Sequence, residues 1–304
     1  MPINWTNLTR LSFEHNHIYP PYQPSREDVT APEMLPILKI CRNLRILSLF
    51  MSSSSTLNPL PAEPGTQITM PSLRALNISG CRSQIHFLLQ SIETARIQEV
   101  QYQPSSTTFS PLAPPETPPA LQPADPLTSF LRRYGHQMKV LSANLPSVSK
   151  ADFGSWLECT PALKQLTLGH QIQFGPPRSM FSTDDEELEE SGLDDSCIEM
   201  LTPNQDQPYL CPDLKIFRCT VKSRVSGDTI LSFLKARTFG ANSRSRIEEV
   251  AMHELPYDNP FGEITDEEDE RLKPIRDAGG TTFFQEIVSL PGQPGIYFPQ
   301  PFGH

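Results

Sequence analysis

One cadence recurs along the chain: Leu-x-x-Leu-x-Leu, with other apolar residues standing in for some of the leucines. It runs through LTRLSF at 8–13, LRILSL at 44–49, LRALNI at 73–78, MKVLSA at 138–143 and LKQLTL at 163–168. Looser copies are IQEVQY at 97–102, LKIFRC at 214–219 and IEEVAM at 247–252. In MPSLRALNISGC and TPALKQLTLGHQ even the approach is shared, with Pro two residues before the first Leu. The closing Leu-x-Leu has the period of two that sends alternate side chains to opposite faces of a strand. Eight strands with one apolar edge each constrain the fold more than any other feature.

Between these segments the apolar spacing becomes helical. APEMLPILKICRN places Met34, Leu35, Leu38 and Cys41 on one stripe, and SQIHFLLQSIETA does so with Ile85, Leu88, Leu89 and Ile92. DPLTSFLRRYG has Leu127, Phe130, Leu131 and Tyr134, and KADFGSWLECT has Phe153, Trp156 and Leu157. SGDTILSFLKAR offers Ile230, Leu231 and Leu234, opened by Ser226 as a cap. A unit of helix, connection and strand cannot bury its apolar side alone, whereas stacked units share a continuous core. The pattern predicts an α/β fold: an irregular leucine-rich-repeat solenoid with a parallel concave sheet and outer helices. The irregularity lies in the spacing, because strand starts fall 24 to 51 residues apart against a usual repeat of about 20–29. Unrelated α/β segments in a doubly wound sheet would explain the alternation but not the recurring leucines.

The excess length falls in insertions. Proline is abundant, 32 in 304 residues, about twice average usage. Eight of these prolines lie in 104–126, which is expected to form neither helix nor interior strand, because proline lacks the amide donor and fixes φ. That stretch is read as an extended, disordered loop. A second insertion, 175–195, carries the acidic run DDEELEE, with Ser182 and Thr183 placed as an acid-directed kinase would favour. Residues 51–67 read as a flexible connection and 264–280 as a short charged helix capped by Thr265, followed by one more strand in TTFFQEIVSL. The solenoid is thus expected over 1–256, with 257–304 as a C-terminal extension and tail.

The formal charge of −10 argues against a nucleic-acid or anionic-membrane surface. The six cysteines form no Cys-x-x-Cys pair or regular framework. No signal peptide opens the sequence, and no apolar run approaches the roughly 18 residues of a membrane span. The expectation is an intracellular protein, cytoplasmic or nuclear, with its cysteines serving as small buried hydrophobes.

There is no Gly-x-Gly-x-x-Gly, P-loop, Gly-x-Ser-x-Gly or His-Glu-x-x-His. His15 and His17 lack a neighbouring ligand set, and the gaps between Cys197, Cys211 and Cys219 fit no zinc site. Cys219 falls at an inward strand slot, as core. No enzyme, cofactor or metal is expected. If the Leu-x-Leu residues point inward, the intervening residues pave the concave face, and protein recognition is the activity such a mixed polar row suits. The candidate binding residues are Arg10, Glu14, Phe50, Asn77, Gln101, Asn144, Thr167, Arg218 and His253. A scaffold acting through the proline-rich and acidic loops is the alternative; an unrecognised α/β enzyme is a more distant one.

INWTNLTRLSF, MLPILKICRNLRILSL, MPSLRALNISG, WLECTPALKQLTLG, YLCPDLKIF and ILSFLKART together resemble the repeats of fungal F-box/leucine-rich-repeat proteins. In those proteins Trp-x-x-Leu-Thr-x-Leu precedes a helix closing in Leu-x-x-Cys-x-x-Leu and then Pro-x-Leu-x-x-Leu. The resemblance spans 3–252 in pieces. It implies a solenoid presenting a surface to a protein target, and an F-box coupling that target through an adaptor to a cullin-type ubiquitin ligase. The F-box itself is missing from the resemblance. The first repeat begins at Trp5, and APEMLPILKIC at 31–41 leads directly into the second strand as its preceding helix. An adaptor contact is therefore expected only from an F-box upstream. The chain reads as a fragment of a longer product or a stand-alone repeat protein that lost the module.

Overall fold

The computed structural model of the chain describes residues 4–13, 30–51, 67–105, 125–143, 150–169, 194–203, 210–219, 225–239, 246–253 and 281–285. Its strands are β1 (Arg10–Phe13), β2 (Ile46–Met51), β3 (Ile68–Thr69), β4 (Ala75–Cys81), β5 (Ile92–Glu93), β6 (Glu99–Ser105), β7 (Val140–Ala143), β8 (Gln165–Leu168), β9 (Ile216–Cys219), β10 (Glu249–His253) and β11 (Thr281–Gln285). Its helices are α1 (Ala31–Ile40), α2 (Arg82–Ser91), α3 (Pro126–Tyr134), α4 (Lys150–Cys159), α5 (Asp195–Leu201) and α6 (Gly227–Phe239).

Nine of the strands form one open sheet in the order β1-β2-β4-β6-β7-β8-β9-β10-β11, and every pairing is parallel. All eight Leu-x-x-Leu-x-Leu segments supply a strand to it, and TTFFQ supplies the ninth. The order follows the chain without reversing. Parallel connections are almost always right-handed, so an unreversed order stacks the helices on one face, unlike a doubly wound sheet, where the order turns back. Each helix contacts the next, from α1–α2 through to α5–α6.

The side chains follow the period of two. The first inward row is Leu11, Leu47, Leu76, Val100, Leu141, Leu166, Phe217 and Val250, all in lateral register and all buried. The second runs from Leu49 through Ile78, Tyr102, Ala143 and Leu168 to Cys219. Leu44, Leu73, Ile97, Met138, Leu163, Leu214 and Ile247, the first apolar slot of every copy but the first, are buried as well, and Leu8 of the first copy is half-buried against the core. They meet the helical stripes Met34/Leu35/Leu38, Ile85/Leu88/Leu89, Leu127/Phe130/Leu131, Phe153/Trp156/Leu157 and Ile230/Leu231/Leu234 in one core. Each such side chain contributes about 1.5–3 kcal/mol, and each is shared by adjacent units.

Backbone bonds weld the units at the entry to the strands. The carbonyl of Arg45 accepts from the amides of Arg74 (2.8 Å) and Ala75 (3.0 Å), and the same paired bond recurs from Thr9, Arg74, Gln98, Lys139, Lys164 and Lys215 to the next unit. These pre-strand residues therefore stack in a column along the N-terminal edge of the sheet.

Helix starts are set by short polar side chains. Glu33 reaches back to the Thr30 amide (3.0 Å) and hydroxyl (2.8 Å) at the start of α1, and these bonds hold its carboxyl below the usual range. Asp125 caps α3 at the Leu127 amide (2.8 Å), Asp194 caps α5 at the Cys197 amide (3.1 Å), and Ser226 caps α6 at the Thr229 amide (3.3 Å).

Several expectations are corrected. The stretch 104–126 is not wholly without structure: Pro104 and Ser105 extend β6, and Asp125 and Pro126 open α3. Pro104 lies past Tyr102, the last β6 residue paired with β7 among the described residues, where a missing amide donor is tolerated. Pro126 stands at the first helical position, where its missing amide costs nothing. The acidic insertion likewise ends early, since Asp194 and Asp195 begin the short helix α5, which the periodicity did not reveal. Ile92 leaves the helix to pair with Ile68 in the small parallel β3–β5 sheet. The strand expected in TTFFQ, within the C-terminal extension, forms as β11 and pairs with β10. Residues 52–66, 106–124, 170–193 and 254–280, with the connection, loops and charged helix expected there, lie outside the described residues, as do His15, His17 and the tail.

Candidate functional site

The residues between the buried rows form the other face of the sheet. One row reads Arg10, Ile46, Ala75, Glu99, Val140, Gln165, Ile216 and Glu249. Arg10 is exposed and the rest are half-buried. The next reads Ser12, Ser48, Asn77, Gln101, Ser142, Thr167, Arg218 and Ala251. Above it lie Phe50, Ser79 and Gln103. Among the described residues no helix covers these rows, and their composition is mixed: hydroxyl and amide groups, four charged side chains (Arg10, Glu99, Arg218 and Glu249) and isolated apolar ones such as Ile46, Phe50 and Ile216.

Of the predicted binding residues, Arg10, Phe50, Asn77, Gln101, Thr167 and Arg218 share this face. Asn77, Gln101, Thr167 and Arg218 stand in a single row across β4, β6, β8 and β9, with Ser142 of β7 between Gln101 and Thr167. Arg10 is one row lower and Phe50 one row higher. His253 ends β10, and its backbone is in register with Gln285 of β11. Glu14 and Asn144 lie outside the described residues.

Charge on this face is sparse and arranged. Arg218 grips Glu249 with two parallel bonds, Nε to Oε1 at 2.6 Å and Nη2 to Oε2 at 3.0 Å, joining β9 to β10. Glu99 sits between Ala75 and Val140, and burial pushes its carboxyl up from the ordinary range. Glu99 is thus a carboxylate half-sunk among small and apolar neighbours, one row below the Asn77 and Gln101 amides.

Behind the sheet, a buried polar knot ties three units together. Asp125 accepts from the Leu127 amide, from the Tyr102 hydroxyl (3.2 Å) and from Arg82 Nη2 (3.0 Å). Burial raises its carboxyl against the pull of the Leu127 amide and Arg82, and burial beside Asp125 raises the Tyr102 phenol. Trp156 Nε1 donates to Thr128 Oγ1 (2.9 Å), which donates to Asp152 Oδ1 (3.1 Å), and Trp156 meets Tyr102 edge-on with centroids 6.4 Å apart. With every one of these groups engaged in holding elements together, the knot is structural. The sequence reading missed Asp125 because it ends a proline-rich run; its signal was the Asp-Pro pair that opens helices.

The cysteines behave as core. Cys41, Cys197, Cys211 and Cys219 are buried, and Cys81 and Cys159 half-buried. Burial pushes the Cys211 thiol up to about 11 and raises Cys41, Cys159 and Cys197 as well, away from the thiolate a nucleophile needs. Among the described residues no group of three or more His, Cys, Asp or Glu side chains is placed to hold a metal ion, and no helix is long and apolar enough to cross a membrane.

The chain is an α/β protein whose open parallel sheet is faced with helices on one side and lined by mixed polar and apolar rows on the other. Comparison with protein-family models found no match, and comparison with curated proteins found no similar sequence.

Proposed function

We propose that the chain is a leucine-rich-repeat solenoid that recognises a protein on the concave, open face of its sheet and performs no catalysis itself. Its role would resemble that of the substrate-receptor part of an F-box/leucine-rich-repeat protein in a cullin-type ubiquitin ligase. The observation that carries this reading is the register: across eight strands every inward position is apolar, while the opposite rows are mixed, mostly polar with isolated apolar residues, and uncovered by the described helices. A face built from extended mixed rows suits a partner's surface rather than a small molecule. Nine strands spaced about 4.8 Å apart span roughly 38 Å, and three rows about 7 Å apart give a height near 15 Å. That area, at most about 570 Å², is about seven-tenths of the roughly 800 Å² that one partner contributes to a standard interface. Phe50, Ile46 and Ile216 supply apolar anchors, and Arg218, held by Glu249, supplies a preorganised cation.

The test separates the face from the loops. Phe50→Ala with Arg218→Ala should weaken binding of the cognate protein at least tenfold, while deletion of 107–123 should leave it intact. The reverse pattern would establish the scaffold alternative. The ubiquitin-ligase part is tested separately by co-elution of the purified chain with the F-box adaptor. A one-to-one complex supports a ligase receptor; its absence from a folded chain leaves recognition without the adaptor link.

A further inference from the structure

The column of pre-strand residues along the N-terminal edge of the sheet is strongly cationic. Arg45 and Arg74 stack on adjacent strands, Gln98 interrupts, and Lys139, Lys164 and Lys215 follow on three consecutive strands, each locked to the next by the paired backbone bonds described above. Arg45, Arg74, Lys139 and Lys164 are exposed. Among the described residues none of these four has a carboxylate partner; Lys215 alone does, pairing with Glu248 (2.5 Å) where the column ends. The chain as a whole carries ten more acidic than basic charges, so this segregation is not a by-product of composition. Like charges side by side on neighbouring strands destabilise a sheet, and here the parallel register enforces the stacking unit after unit. The hollow lined by Lys39, Arg42 and Pro71 brings further cations to the units of Arg45 and Arg74.

We infer that this edge is a second docking surface, which takes an extended acidic segment of a partner protein running across the strands. From Arg45 to Lys215 the column covers five strand steps, about 24 Å, which an extended peptide crosses in about seven residues. Alternate side chains of such a peptide recur about every 7 Å, so three or four of its carboxylates reach the column while the intervening ones face solvent. The surface goes beyond the proposed recognition face: the two lie on different parts of the sheet and can fail independently.

The experiment is fluorescence anisotropy of the full chain with a fluorescein-labelled deca-glutamate peptide. Binding should weaken at least tenfold between 50 and 300 mM salt. The triple variant Arg74→Glu, Lys139→Glu, Lys164→Glu should weaken it at least tenfold at low salt, whereas the charge-matched helical-side variant Arg132→Glu, Lys150→Glu, Lys235→Glu changes it less than twofold. The neutral triple Arg74→Gln, Lys139→Gln, Lys164→Gln guards against misfolding and should still weaken binding at least threefold. Phe50→Ala with Arg218→Ala should leave peptide binding unchanged. Equal losses in the two charge-reversed triples, or no binding by the unaltered chain, would overturn the inference. So would tighter capture of a deca-thymidine oligonucleotide through the same three residues, since the occupant would then be a nucleic acid.

Discussion

Removing the Asp125 carboxylate is a perturbation whose cost can be built from its contacts. Asp125→Ala loses a helix cap, worth about 1 kcal/mol, and leaves the buried Tyr102 hydroxyl without its acceptor, a penalty of about 1–3 kcal/mol. The bond from Arg82 adds little, about 0.5 kcal/mol, because that guanidinium is 43% exposed. The expected loss is about 3 kcal/mol. Tyr102→Phe alone should cost about 1 kcal/mol. In the double variant the orphaned hydroxyl no longer exists, so the combined loss should be only about 2 kcal/mol, a coupling near 2 kcal/mol. Urea unfolding followed by Trp156 fluorescence, in a Trp5→Phe background, reads this out locally, since Trp156 stacks edge-on against Tyr102. A strictly additive double variant, with coupling under about 0.5 kcal/mol, would refute the argument that these two groups satisfy one another.

Gly80 has φ +105°, and a Cβ there would lie 2.0 Å from the Met51 carbonyl oxygen of the adjacent strand. Gly80→Ala should therefore cost at least about 2 kcal/mol, visible as a lowered urea midpoint and earlier loss of the β2–β4 pairing in hydrogen exchange. The raised carboxyl of Glu99 means the folded state holds its proton more tightly than the unfolded chain. Stability from this group falls as pH rises from the unfolded carboxylate range, about 4.3, through the higher folded value, and stays reduced above it. Glu99→Gln should accordingly be more stable than the unaltered protein at pH 7, with the gap closing below pH 4 in paired urea titrations. Arg218→Ala should leave the thermal midpoint nearly unchanged, because a part-exposed pair contributes under about 1 kcal/mol, so any large effect on partner binding reflects recognition rather than unfolding.

The strands were legible because Leu-x-Leu writes a period of two directly into the chain, and the register then fixes which residues share the open face. Asn77, Gln101 and Thr167 could be placed there from the pattern alone. Short elements were not legible. Helix α5 offers only Cys197, Ile198 and Leu201 after an acidic run, less than two full turns of periodicity, and β3 and β5 are two residues each. Asp125 was hidden because local proline content speaks for extended chain, while a tertiary bond to Tyr102 and Arg82 decides its role. The cationic column was invisible for a different reason: Arg45 and Arg74 are 29 residues apart and Lys164 and Lys215 are 51 apart. Only the parallel register brings them side by side.

Recognition on the open face is tested most directly by site-specific photo-crosslinking. A benzoylphenylalanine at Gln101, Thr167 or Phe50, set against one at Gln90, Arg132 or Lys235 on the helical side, would be irradiated with the cognate protein bound. The account predicts adducts from the first three positions and none from the second three; adducts arising from the helical side, with the open face silent, would contradict it.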